Sequence, residues 1–319
     1  MSEGSVVCAG IVVADVFVPP LARLPEPGEL VATDDFVVET GGCAANTAIA
    51  LARLGVRPTV VAKVGDDLFG DFVRDELVGD GVDVSGVGSA PGLGTSKTVI
   101  VPVSGEDRRF IHSFGANAAL CADDLAAALV TAPAVLSVGG FLVLPALRQD
   151  ELAAQLRRAR EAGTRVVLDV VAPSEQALSL DDVAGVLPEV DYFVPNDDEA
   201  AALTGASDPH RQAERLLELG AGTVIVTMGE QGLVAAGPDG TIELPAPRVD
   251  VVDPSGAGDA FAAGLVYGLL EGWALPRCLE FASVIGARAC TRLGCTAGLP
   301  TRAEADADLE SYVRCPSPR

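Results

Sequence analysis

Lysine is nearly missing from this chain of 319 residues. It occurs only as Lys63 and Lys97, so arginine carries almost all the positive charge. Acidic residues number 45 against 22 basic ones, for a formal net charge of −23. Without clustered positive charge, nucleic acid and anionic membrane are excluded as default partners. A phosphate ligand is not excluded, because a few local donors can hold one. Two histidines, His112 and His210, are too few for a histidine-rich metal centre. Aromatic residues make up only 4%, which disfavours a ligand that must be stacked between rings. The seven cysteines are odd in number and include no C-x-x-C pair. They read as reduced residues of a cytoplasmic protein, not a disulfide framework. The N-terminus lacks a basic region and a small-residue cleavage site, so it reads as a first strand. No apolar run approaches the roughly 18 residues a membrane helix needs. Two phosphate motifs are also missing. No Gly-Lys pair exists for a P-loop, and G-x-G-x-x-G fails at Gly256 because Phe261 occupies its last position.

What is present is an alternation. With 49% hydrophobic residues, a packed core is expected. Short apolar strand candidates are VVCAGIVV (6–13), PTVVAKVG (58–65), AVLSVGG (134–140), RVVLDVV (165–171), DYFVPN (191–196) and TVIVTMG (223–229). Helix-period segments lie between them at 43–54, 68–78, 123–131, 146–162 and 209–219. This rhythm predicts an α/β fold, doubly wound around a mostly parallel sheet flanked by helices. Two segments break it. The stretch 15–40 has no helical period, and 95–113 reads as two strands around an SGED turn. They predict a small β-sheet lid, leaving 1–14, 41–94 and 114–319 as the α/β domain.

The stretch DPSGAGDAFAAGLVYGLL (253–270) holds two carboxylates apart with the smallest residues available. PAPRVDVV before it reads as an extended strand. Phe261, Leu265, Leu269 and Leu270 after it fall at helical spacing. The turn therefore opens a helix whose first N–H groups have no internal partner and whose dipole favours an anion. Gly256, Ala257 and Gly258 would form the anion hole, and Asp259 would accept a proton from an attacking hydroxyl. An ordinary capped turn explains this stretch alone equally well.

Four motifs in order decide between these readings. GGCAANTAIALARLG (41–55) fits G-G-x-x-x-N, and VPNDDEAAALTG (194–205) fits N-x-x-E. VIVTMGEQG (224–232) fits T-x-G-x-x-G, and DPSGAGD fits D-x-x-G-A-G-D. From about residue 6 to 300 the chain resembles the PfkB, or ribokinase-like, carbohydrate kinases. KVGDDLFGDFV (63–73) and FGANAAL (114–120) add to the likeness. The resemblance implies transfer of the γ-phosphoryl group of ATP to a hydroxyl of a small neutral sugar or sugar acid. Asp259 would be the base. Asp15, Gly42, Asn46 and His112 would bind the sugar. Asn196 and Glu199 would face the phosphates and a water-coordinated Mg2+. Thr227, Gly229, Gly232 and Ser283 would shape the nucleotide groove. Asp253, Ser255 and the 290–295 loop would offer backbone oxygens to K+. The lid would close over the sugar and pair two copies into a homodimer.

Three departures bear on the substrate. Pro254 stands where most relatives have threonine, which removes an N–H and a hydroxyl. Cys43 replaces the lysine of ribokinases proper. GGFLVLPAL (139–147) lacks the glutamate those enzymes carry after the lid. Phosphosugars would want converging cations near the lid, where Lys97, Arg108 and Arg109 are the candidates. A nucleoside kinase and a non-catalytic sugar-binding protein are the rival readings.

Overall fold

A computed structural model describes residues 5–104, 109–173 and 177–314. Arg108 and the tip of the SGED turn lie outside them. The strands of the larger sheet are β1 (Val6–Gly10), β4 (Thr59–Val64), β5 (Asp83–Ser89), β8 (Val135–Gly139), β9 (Arg165–Leu168), β10 (Tyr192–Phe193), β11 (Thr223–Thr227), β12 (Leu233–Gly237) and β13 (Gly240–Leu244). The smaller sheet comprises β2 (Val13–Phe17), β3 (Val37–Gly41), β6 (Lys97–Val101) and β7 (Arg109–Ser113).

The nine-stranded sheet runs β13-β12-β11-β10-β9-β8-β1-β4-β5. From β5 to β11 neighbouring strands pair parallel, and β12 and β13 close the edge antiparallel. Side chains alternate between two cores. Val6 and Cys8 face one cluster with the helices Cys43–Arg53, Ala257–Leu270 and Leu275–Ala289. Val7 and Ala9 face the other with Gln149–Glu161 and Pro209–Leu217. Both faces are therefore covered, as continuous apolar strands require. No helix among the described residues is long and apolar enough to cross a membrane.

Helix starts at 43, 68 and 209 match the sequence periodicity, while the others shift by one to three residues. Two strand expectations fail. Residues 6–13 form two strands in different sheets, broken at Gly10 with φ 143°. There a Cβ would collide with Gly139 O, so only glycine fits. The segment 245–252 pairs with no strand, because Pro245 and Pro247 cannot donate to a ladder.

The small sheet runs β3-β2-β6-β7, with β2 and β6 parallel and both outer pairs antiparallel. It begins at Val13, two residues before the expected boundary, and β3 ends one residue past residue 40. Strand order in the large sheet reverses between β1 and β8. Ligands of open α/β sheets bind at such a switch point, beyond the strand C-termini.

Candidate active site

Glycine makes room at the switch point. A Cβ on Gly139 would lie 2.7 Å from the Cys43 Cβ, so β8 approaches the helix Cys43–Arg53 closely. Gly42 caps that helix at φ 95°, and a Cβ there would lie 2.6 Å from Ile11 O. Its glycine is thus demanded by the backbone itself. Buried Asn117 joins the same crossing, accepting from Val12 N–H at 3.2 Å and donating to Val12 O at 2.8 Å.

One turn into the helix, Asn46 is 4% exposed and donates from Nδ2 to Asp259 Oδ2 at 2.8 Å. Its Oδ1 is buried without a partner. Thr47 Oγ1 donates to Asp259 O at 3.2 Å. The first and last motifs therefore meet, although 213 residues separate Asn46 from Asp259.

Asp259 does not stand alone. The Cys43 thiol, the Asp169 carboxyl and the Asp259 carboxyl place donor atoms within 4.8 Å of one another. Burial raises Asp259 above the usual carboxylate range, while hydrogen bonds from Asn46 and Cys43 pull it back. Asp169 lies well above that range through burial and the nearby charges of Glu199 and Asp259. Cys43 is pushed well up by burial and by Asp259 and Asp169, so it stays a thiol. Nothing in the sequence reading singled out Asp169. Its signal was a lone acid at the end of an apolar strand, where the fold places ligands. It supplies from just after β9 a carboxylate that 139–147 lacks.

The helix Ala257–Leu270 starts at Gly256, in the left-handed region at φ 76°, with no side-chain cap. A Cβ on Gly256 would lie 2.7 Å from Cys295 O, whereas one on Gly258 would meet nothing within 4 Å. The two glycines thus do different work. Gly256 permits the turn, and Gly258 leaves open space before the helix end. The Ala257 N–H turns back to Pro254 O at 3.2 Å, so it is committed within the turn. Asp253 is 1% exposed and ties the turn together. Its carboxylate accepts from Ser255 N–H and Gly294 N–H, each at 3.0 Å.

Asn196 and Glu199 form a reciprocal capping box at the start of the helix Asp197–Thr204, with both bonds at 2.9 Å. Glu199 is 9% exposed and is raised to about 7, mostly by burial, with Asp259 and Asp198 adding to it. Thr227 bridges Asn196 at the end of β11. Gly229 (φ 53°) and Gly232 (φ 95°) shape the turn after it, and a Cβ on Gly232 would strike Leu244 O. Ser283 is buried on the helix Leu275–Ala289, and no hydrogen bond links it to that turn.

Register aligns a row across the small sheet, since Asp15 pairs with Thr98 and Thr98 with His112. Thr98 hydrogen-bonds the Asp15 carboxyl, and its Oγ1 lies 3.0 Å from His112 Nδ1. Asp15 packs over Gly41, where a Cβ would displace its carboxylate. Burial lifts Asp15 to about 6 despite Thr98, with Glu39 adding to the rise. Thr98 was not anticipated from sequence. Alternation in 95–113 defined two faces without saying which one turns inward.

This geometry can accommodate an anion at a helix end, with a carboxylate beside it and a row of polar groups on the small sheet. The profile of the pfkB family of carbohydrate kinases matches residues 3–302. A 5-dehydro-2-deoxygluconokinase from Clostridium perfringens is 31% identical over 274 residues, 82% of this chain and 81% of that protein. A 2-dehydro-3-deoxygluconokinase from Bacillus subtilis is 33% identical over 297 residues, covering 87% and 88%. The structure of Arabidopsis thaliana ribokinase complexed with ribose and ATP superposes with a TM-score of 0.82. It is 25% identical and covers 97% of this chain and 99% of that one. The chain belongs to the pfkB family of carbohydrate kinases and is a phosphotransferase that acts on a sugar hydroxyl.

Proposed function

We propose that the chain transfers the γ-phosphoryl group of ATP to a hydroxyl of a small sugar or sugar acid, with Asp259 as the base. One observation carries this reading. The Asp259 carboxylate stands at an uncapped helix N-terminus and is held by Asn46 from the opposite end of the chain. The acceptor hydroxyl attacks phosphorus, its proton passes to Asp259, a new O–P bond forms, and ADP leaves with the old one. The N–H groups around Gly256 and Gly258 receive the charge on the transferring phosphoryl. Ala257 serves as the turn residue between them, because its own N–H is already bonded to Pro254 O.

Asp15, Gly42, Asn46 and His112 hold the sugar. The free Oδ1 of Asn46 is the acceptor such a hydroxyl needs. Asn196, Thr227, Gly229, Gly232 and Ser283 form the nucleotide side.

Magnesium fits this acidic centre. Glu199 and Asp259 both raise Asp169, and Asp259 with Asp198 raises Glu199. Glu199 would hold the ion through its waters, and the bound ion would neutralise phosphate charge. A thiol suits it poorly, so Cys43 is no ligand. Potassium fits the neighbouring turn at Asp253 and Ser255, where Glu39 is raised by burial and by Asp253.

The small sheet acts as a lid that excludes water during transfer. Its edge strands expose Val37 (50%) and Ile111 (67%), beside Phe36 (55%) and Phe110 (57%). An apolar edge of this kind fits a second copy of the chain, giving a homodimer.

The test is ADP release with Mg-ATP across ribose, fructose, deoxygluconates, phosphosugars and nucleosides, with and without K+. Turnover on a sugar is expected, and Asp259→Asn should lower kcat by about 100-fold or more. A folded variant with undiminished kcat removes Asp259 as the base.

A further inference from the structure

We propose that Asp169 is a specificity residue: it takes a second, neutral hydroxyl of the same sugar whose first hydroxyl faces Asp259. This rests on the phosphotransfer reading above and deepens it. The two carboxyls stand within 4.8 Å of each other. Two neighbouring hydroxyls of one sugar span that spacing with ordinary hydrogen bonds.

Three observations converge on this pairing. Asp169 directly follows β9, beside β8 at the strand reversal, its N–H donating to Val138 O at 2.8 Å and its C=O accepting from Phe141 N–H at 3.3 Å. The backbone is thus fixed, while the side chain is only part-buried. Gly140 N–H and the Cys43 thiol act on its carboxyl as hydrogen-bond donors, and the thiol and both carboxyls cluster within 4.8 Å. Asn46 is more than nine-tenths buried, bonds Asp259 with one end, and leaves Oδ1 unpaired in the same cluster. An unanswered acceptor beside two carboxyls points to a ligand that brings several hydroxyl donors.

Charge narrows the ligand further. The charged groups acting on Asp169 are Glu199 and Asp259, both acids. An anionic substituent next to the reacting hydroxyl would meet like charge without relief. A carboxylate at the far end of a longer acceptor would not.

The experiment pairs each acceptor with its deoxy counterpart: D-ribose with 2-deoxy-D-ribose, and D-fructose with 1-deoxy-D-fructose. Steady-state kinetics are measured on wild type, Asp169→Asn and Asp169→Ala. Asn keeps an acceptor for Gly140 N–H, so it carries the test if Ala fails to fold. Replacing Asp169 should raise sugar KM about tenfold and cut the preference for the hydroxylated partner, with Mg-ATP KM unchanged. A merely structural role would not move that preference. An unchanged preference in a folded variant, or sugar and ATP KM rising together, overturns the assignment. If wild type turns over no acceptor, the phosphotransfer reading fails separately. Melting shifts with the same sugars then decide. A shift lost in Asp169→Asn supports the role, and an equal shift or none in wild type overturns it.

Discussion

Replacing Glu199 with glutamine should stabilise the protein while weakening its use of nucleotide. Glu199 is 9% exposed, and burial, together with Asp259 and Asp198, raises it from 4.5 to about 7. In the unfolded chain the group ionises near 4.5 at little cost. In the folded chain its neutral form is favoured until about pH 7. Its favourable contribution is therefore present at low pH and is lost as pH rises through the folded value. The difference amounts to about 1 kcal/mol at roughly pH 5.5 and about 3 kcal/mol above roughly pH 8. Glutamine never ionises, and its side-chain oxygen can still accept from Asn196 N–H, so the capping box survives. The stability advantage of Glu199→Gln should thus grow by about 2 kcal/mol across that range. Urea melts of both proteins at the two pH values, without nucleotide, measure it. Mg-ATP KM should rise at the same time, because the lost charge is the one proposed to face the metal. A pH-independent difference, or a destabilised variant at both values, refutes the argument from burial.

Three other outcomes are expected. Gly256→Ala places a Cβ 2.7 Å from Cys295 O at φ 76°. It should cost more than about 1 kcal/mol and lower kcat with little change in sugar KM, read by melts and kinetics. Thr98→Val leaves Asp15 without its hydrogen bond, so Asp15 rises further above about 6. Sugar KM should increase about tenfold and its acid limb should move to higher pH, with Mg-ATP KM unchanged. Val37→Asp combined with Ile111→Asp should convert the proposed dimer to monomer in light scattering. A monomeric wild type would refute the lid interface.

Much of this arrangement could be read before any coordinates. Three of the four motifs mark places where backbone geometry needs particular small residues, with Gly42, Gly232 and Gly256 all at positive φ, and the fourth is the Asn196–Glu199 capping box. Such demands leave a local trace. Pairing between distant segments does not. In VVCAGIVV the mark is Gly10 alone, and a lone glycine does not say that the chain passes there from one sheet to another, because its need comes from the neighbouring Gly139. PAPRVDVV did carry a contrary signal in its two prolines, outweighed by its valines. Asp169 directly follows β9, and Thr98 is the second residue of β6, after Lys97. Their importance comes from what faces them, which is set by sheet order and register.

The bond from Asn46 to Asp259 ties together groups 213 residues apart. With Asp259 as the proposed base, it makes catalytic competence a readout of complete synthesis. A nascent chain can build β1, β4 and the helix Cys43–Arg53 early, yet the base arrives only with the helix Ala257–Leu270. Closing so long a loop is entropically slow, so this contact belongs among the last to form. Until then the cell holds a fragment that has no base to spend ATP with. The geometry that positions the proton acceptor therefore also keeps unfinished copies silent.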